Sequence, residues 1–139
     1  MTLAFILTGC GGILQSGNSQ PAMEMVGDNI CRDNINSLMW QFKVPKQVTT
    51  IEEARQYAAD LELDGYNDWR VPTVYELYEL SYLVDLHKNG DCEIDISGNF
   101  WSDEKDGEGM VGAWEISDQC EPERQYYEKM KGYVRAVRP

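Results

Sequence analysis

Two Thr-x-x-Glu steps constrain this chain more than any other feature. At Thr50-Ile51-Glu52-Glu53 and again at Thr73-Val74-Tyr75-Glu76 a hydroxyl stands three residues ahead of a carboxylate. The threonine can accept the N3 amide while the glutamate reaches back to the cap amide, which is a capping box. Each step therefore predicts a helix start. In the first helix Ile51, Ala54, Tyr57, Ala58 and Leu61 recur at helical spacing until Asp64-Gly65. In the second, Val74, Leu77, Tyr78, Ser81 and Val84 form one stripe, widened by Leu80 and Leu83, until Lys88-Asn89-Gly90. Stripes of this kind are core faces. The other regular segments read as short strands, over 37–42, 99–102, 112–117 and 132–138, because aromatic and β-branched residues there are flanked by turn chemistry. In the last of these, Val134 and Ala136 should face one way and Tyr133, Arg135 and Val137 the other. Segments 88–98 and 103–111 read as loops. The pattern is α+β: a strand, two consecutive helices, then strands with long loops.

The length of 139 residues suits one domain, and 42 % apolar content with 11 % aromatics suits a packed core. Charge narrows the partners. Twelve basic against 24 acidic side chains leave a net of −12, which opposes a grip on nucleic acid phosphates or anionic lipid heads, since those are held by clustered Lys and Arg. Nucleic acid is excluded as a partner on that ground. The excess is concentrated, because residues 85–123 hold twelve carboxylates against Lys88 and Lys105, a net of −10, and the rest of the chain nets −2.

Residues 1–8 carry no charge and lead through Leu7-Thr8-Gly9 to Cys10. This resembles a bacterial lipoprotein signal with its lipobox, in which small residues admit the peptidase and the Cys10 thiol takes up a diacylglyceryl group. The apolar run is far shorter than the roughly 20 residues that span a bilayer. It is also short for a signal and has no basic residue at its start. The other reading is a buried strand that ends in Gly-Cys. Residues 11–27, with four Gly, two Ser, two Gln and Pro21, have linker composition. The expected organisation is a signal at 1–9, a flexible tether at 10–27 and a folded domain at 28–139. Acylated Cys10 would anchor the protein to a membrane of the cell envelope, the outer membrane where the envelope is Gram-negative, given Gly11. Cys31, Cys92 and Cys120 would then lie where disulfides persist. Cys92–Cys120 is the favoured pair, both lying in the acidic, loop-rich half, and the other two pairings stay open because spacing does not fix connectivity.

Several blocks carry a family resemblance. They are Asp33-Asn34 with Leu38-Met39-Trp40, Gly65-Tyr66-Asn67-Asp68-Trp69-Arg70-Val71-Pro72-Thr73 running into Glu76-Leu77, Phe100-Trp101-Ser102, Ala113-Trp114, and Tyr133-Val134-Arg135-Ala136-Val137-Arg138. In this order they resemble the Legionella collagen-like protein C-terminal domain family over residues 28–138, and all four tryptophans fall inside them. Three positions depart from the pattern: Asn36-Ser37 replaces Thr-Gly, Ala136 replaces a Cys, and Asp103-Glu104 follow Trp101-Ser102 in place of Ser-Thr. The resemblance implies a fold related to C-type lectins and the formylglycine-generating enzyme, with two helices on a small twisted antiparallel sheet and paired terminal strands. Trp40, Asp68, Trp69, Arg70, Pro72, Trp101, Trp114 and Arg135 are its structural motif residues. The residues agree with such a frame. Pro72 fixes φ and biases Val71 toward extended geometry, Trp69 offers large apolar area, and the donors of Arg70 can tie loop carbonyls or Asp68.

Catalytic constellations are sparse. The one histidine, His87, falls at a helix end beside Asp85 and Lys88, and no Cys-x-x-Cys occurs. The acidic loops raise calcium, with Asp103, Asp106 and Glu108 as candidate ligands, although Ser102 stands where an EF-hand needs its first Asp. A solvated loop that keeps the protein soluble is the competing reading, and no other cofactor is implied. The expected function is a non-enzymatic, lectin-like binding or adhesion domain at the cell envelope. The resemblance implies adhesion to sulfated glycans through basic surface, which the acidic loops of this chain oppose. Alternatives are an accessory lipoprotein that docks another envelope protein through Tyr126, Tyr127 or Tyr133, and a thiol-dependent oxidoreductase.

Overall fold

Residues 20–43, 46–104, 109–116, 122–126 and 131–139 are described by a computed structural model, 109–116 and 122–126 as backbone alone. In chain order the elements are β1 (Met23–Val26), β2 (Ile30–Asp33), β3 (Leu38–Gln41), β4 (Lys46–Val48), α1 (Ile51–Asp60), α2 (Val74–Asp85), β5 (Phe100–Asp103), β6 (Gly109–Ile116), β7 (Pro122–Tyr126), β8 (Gly132–Val134) and β9 (Val137–Arg138). They form two sheets, not one. The first, β1-β2-β3-β9, is wholly antiparallel, so the closing strand returns to the opening hairpins. The second, β4-β8-β5-β6-β7, is antiparallel except where Phe100 of β5 runs parallel to Tyr133 of β8. The α+β class stands, with two helices packed against an antiparallel and a mixed sheet.

Both helices start at the expected threonines, and only the second has a complete capping box. Thr73 accepts the Glu76 amide while the Glu76 carboxylate takes the Thr73 amide. In α1 the Thr50 hydroxyl accepts the Glu53 amide, but the Glu53 carboxylate reaches one residue further, to the Thr49 amide and hydroxyl. Hydrogen bonding from the Thr49 amide, strongest among several contributions, holds the Glu53 carboxyl below its ordinary value. The stops also differ from expectation. Asp64-Gly65 does not end α1; at φ 50° and 85° these residues make a two-residue hairpin turn closed by reciprocal Leu63 and Tyr66 bonds. At the far end of α2, His87 takes the left-handed conformation at φ 56°, and Lys88 donates back to the Leu83 carbonyl, so the helix closes before Gly90.

Two apolar clusters form the core. Leu77, Leu80 and Leu83 of α2 pack on Met23, Trp40 and Phe100, and Ala54 and Ala58 of α1 pack with Ile30, Trp69, Trp101 and Val134. Three strand expectations need correction. Met23–Val26, within the segment read as tether, is β1, with Met23 wholly buried. Strands β2, β4 and β7 carried no clear signal. The strand expected over 132–138 breaks at Arg135-Ala136, where the chain leaves one sheet for the other. Val134, Arg135, Ala136 and Val137 are all buried there, so alternation is lost.

The disulfide also differs from the favoured pairing. Cys92 bonds Cys31, not Cys120; the two Cα atoms lie 6.0 Å apart across a sequence separation of 61. Cys31 points from β2 into the core cluster, and the chain after α2 brings Cys92 down onto it, both wholly buried. Cys120 lies outside the described residues.

Two stability measurements follow. Closing a loop of this length removes about 4 kcal/mol of unfolded-state entropy, so reduction, or Cys31→Ser with Cys92→Ser, should lower unfolding free energy in urea by about that amount; identical curves with and without reductant would contradict the bridge. Ser37 stands at φ 56°, the left-handed region, at the position where the family pattern has Gly. Ser37→Gly should raise stability by about 0.5–1 kcal/mol, read from the shift in denaturation midpoint.

Candidate functional site

Most of the motif residues meet where the chain's end crosses between the sheets. The Arg70 backbone pairs with Val137 in both directions, each bond 2.9 Å. Beside it Arg138 forks onto Asp68, Nε to Oδ1 at 2.5 Å and a terminal nitrogen to Oδ2 at 3.0 Å, with the guanidinium 4.0 Å from the Tyr66 ring centre. Loop carbonyls or Asp68 are the partners that sequence offers Arg70. Arg70 instead grips Glu76 through two bonds of 2.6 and 2.7 Å, clamping the corner before α2 to the first turn of that helix. Buried Trp69 donates to the Tyr66 carbonyl, and Trp101 donates to the Val48 carbonyl. The Pro72 carbonyl accepts the Asp103 amide. Trp40 is wholly buried with its indole N–H unpartnered. Trp114 lies in β6 opposite Arg124.

Arg135 is the most deeply placed cation among the described residues, 2 % exposed. Its guanidinium donates to the carbonyls of Gln41 (2.6 Å), Phe42 (3.0 Å) and Asp95 (2.7 Å), leaves Nε unpartnered, and lies 5.6 Å from the Phe100 ring centre. Burial pushes its pKa down to about 10, with the nearby Asp95 charge opposing that shift, so it stays protonated at neutral pH. Gln41 completes the junction: its side-chain carbonyl accepts the Ala136 amide and its amide donates to the Tyr57 hydroxyl at 2.7 Å. The distant pairing of Gln41 had no sequence signal.

Above Arg135 opens a cleft of about 440 Å³ between the chain after β3, the 93–98 loop and β8. Phe42 and Tyr133 give it aromatic walls, Lys43, Glu93, Asp95 and Ser97 give it polar groups, and Phe100 lies against Tyr133 with ring centres 5.9 Å apart. The loop's turn is built in: Asp95 Oδ1 accepts both the Ser97 amide and its hydroxyl, at 2.8 and 2.6 Å. Those bonds, the hydroxyl's foremost, hold the Asp95 carboxyl below its ordinary value. Gly98, at φ +100°, passes so close to Tyr133 that an added Cβ would stand 3.2 Å from the ring. Within this cleft Lys43 and Arg135 balance Glu93 and Asp95.

Of the acidic residues named for calcium, only Asp103 lies among the described residues. Asp103 is occupied by Arg55 through bonds of 2.8 and 2.7 Å, and Asp106 and Glu108 lie outside the described residues. No group of three or more candidate metal ligands occurs among the described residues. Glu104 instead accepts the Val74 amide at 2.8 Å and serves as a second cap on α2. His87 stands exposed after α2. Cys10 and Tyr127 lie outside the described residues, as does Cys120. Tyr126 ends β7, opposite Gly112. No helix among the described residues is long and apolar enough to cross a membrane.

The family model of the Lcl C-terminal domain, named for the Legionella collagen-like protein, matches residues 29–138. This chain belongs to that family. No curated protein and no solved structure matches it. In this Lcl C-terminal domain the shared sequence blocks therefore make the junction of the two sheets, and the cleft rests on that junction through Arg135 and Tyr133.

The Arg70–Glu76 clamp is titratable. Burial raises the Glu76 carboxyl, but Arg70 and the Thr73 amide outweigh it and leave the group below its ordinary value. A carboxyl depressed in the folded state stabilises the fold above its unfolded pKa and loses that contribution as pH falls through the folded value. Glu76→Gln should therefore cost about 1 kcal/mol at pH 7. The gap from the native chain should narrow in urea titrations below pH 4.5; a gap constant down to pH 2 would contradict the clamp.

Proposed function

We propose that this Lcl C-terminal domain is a non-enzymatic binding or adhesion module of lectin-like fold, held at the bacterial cell envelope by a lipid on Cys10, with its ligand seated in the cleft above Arg135. The observation that carries the reading is the composition of the cleft: aromatic Phe42 and Tyr133 beside Asp95, Ser97, Glu93 and Lys43, in about 440 Å³. An aromatic face next to oriented hydrogen-bonding groups suits one saccharide ring, whose C–H face is apolar and whose hydroxyls both donate and accept. Balanced charge makes a neutral saccharide the fitting ligand, and the chain's net of −12 opposes sulfated polymers. Two helices over two sheets, with β9 returning to β3 beside the opening hairpin, support a lectin-like arrangement.

A thiol-dependent reaction finds less support, since the Cys31–Cys92 bridge is wholly buried and reactive thiols need exposure. Saccharide titration followed by NMR tests the proposal. Neutral oligosaccharides should shift resonances of Tyr133 and Ser97, and Tyr133→Ala should weaken them about tenfold or more. Shifts by heparin alone, or none in the cleft, would overturn the saccharide reading. The anchor is tested separately: Cys10→Ser should move the protein from the membrane fraction to the soluble one, and unchanged fractionation would remove the lipid from the proposal.

A further inference from the structure

We propose that Asn89 is a modification site, where the folded protein loses a side-chain amide without an enzyme and passes through a cyclic imide to aspartate and isoaspartate. Lys88-Asn89-Gly90 reads in sequence as the stop of α2, yet the helix closes at His87 and Lys88. The Asn-Gly step is therefore free of that task. Of the seven asparagines only Asn89 is followed by glycine, and asparagine is among the residues that warmth destroys. The step lies at the surface, with Gly90 exposed and Asn89 half-buried. The Gly90 amide donates no hydrogen bond to any described residue, and glycine has no side chain to hinder the approach of its nitrogen to the carboxamide before it. Among the described residues one neutral hydrogen bond holds that carboxamide, from Nδ2 to the Cys92 carbonyl at 2.7 Å, a restraint that slows reaction by about tenfold at most.

Water is the only co-reactant, and nothing is oxidised or reduced. The Gly90 amide proton passes to hydroxide, the nitrogen attacks Asn89 Cγ, and the Cγ–Nδ2 bond breaks as the amide takes a proton from water and leaves as ammonia. In the resulting imide the Gly90 nitrogen joins Cγ and the main-chain carbonyl carbon of residue 89. Water adding at Cγ restores the main chain and leaves aspartate; water adding at the main-chain carbon leaves isoaspartate, with the chain routed through Cγ. The place of the step gives the reaction its effect. The Cys92 amide also donates to the Asn89 carbonyl at 2.9 Å, so residues 89–92 form a turn that presents Cys92 to Cys31 and Asp91 to the Met25 amide. Deamidation puts a carboxylate oxygen where Nδ2 faced the Cys92 carbonyl, and a donated bond becomes a repulsion. Isoaspartate also adds a methylene to the main chain just ahead of Gly90, where the backbone runs so near β1 that a Cβ on Gly90 would stand 2.7 Å from the Met23 carbonyl oxygen. Both products loosen the turn that holds β1 and the disulfide together.

The test is peptide mapping by mass spectrometry of the full, oxidised chain held in warm, mildly alkaline buffer made with heavy-oxygen water, beside a free peptide of residues 86–91. The segment holding Asn89 should exchange amide for acid and take up one heavy oxygen, several times faster than any other asparagine segment and within about tenfold of the free peptide. Gly90→Ala would strain a residue at φ 56°, so the blocking variant is Asn89→Gln, whose longer side chain would have to close a larger ring; the gain there should vanish. Asn89→Asp, the direct product, should unfold at lower urea concentration than the native chain. Conversion of the free peptide with none at Asn89 in the protein would mean that the fold protects the step, and equal conversion at every asparagine would mean general unfolding; either overturns the proposal. An Asn89→Asp midpoint equal to that of the native chain would overturn the loosening of the turn.

Discussion

Everything in this domain turns on how one buried guanidinium is satisfied. Arg135 stands where the chain passes from β8 of the mixed sheet to β9 of the antiparallel one. Three carbonyls, two from the end of β3 and one from the loop before β5, converge on it. A buried charge left without such acceptors costs several kcal/mol. The demand runs both ways: the arginine obliges those backbone segments to approach one another, and they keep it from being an orphan. The cleft is a by-product of that demand, because the 93–98 loop is held at the Asp95 carbonyl and Tyr133 is delivered by β8, which ends one residue before Arg135.

Local signals were readable and distant partnerships were not. The two helices were visible because a capping box is written within four residues, and the apolar stripe behind it within a dozen. The reading failed where one motif serves two structures. Asp64-Gly65 suits a helix end and a hairpin turn equally, and only the Leu63–Tyr66 pairing decides between them. Strand β1, Met-Glu-Met-Val, lies inside composition that otherwise describes a linker. Arg70 stood beside Asp68 in sequence, yet its fork reaches Glu76, and Asp68 is taken by Arg138, seventy residues away. A spacing argument cannot find the Cys31 bond to Cys92, since it depends on how α2 returns the chain to β2.

The family blocks were the best guide to the site and also its limit. They locate the sheet junction, which sequence pattern alone had rendered as one continuous strand. They supply Phe100, Tyr133 and Arg135 to the cleft but not the rest of its lining, because Phe42, Lys43, Asp95 and Ser97 come from segments outside the shared blocks. Ser37, where the pattern expects Gly, keeps the left-handed conformation despite its side chain, in a turn where the Asp33 carboxylate accepts the Ile35 and Asn36 amides. Similarly, the acidity that dominated the composition is partly consumed by structure: Asp91 accepts the Met25 amide, Glu104 the Val74 amide, and Asp103 binds Arg55.

The position of the junction in the chain has a consequence for how such a domain comes into being. Val134, Arg135, Ala136 and Val137 join segments that all precede them, from β3 through the Trp69-Arg70 corner to β5. During vectorial synthesis or export, the helices and the first hairpins emerge early, while the residues that weld the two sheets together emerge after nearly everything they contact. The unfinished chain must therefore keep Trp40, Trp69 and Phe100 away from other chains until the closing strand arrives, so the time between emergence of β3 and emergence of β9 is when this domain is most exposed to aggregation.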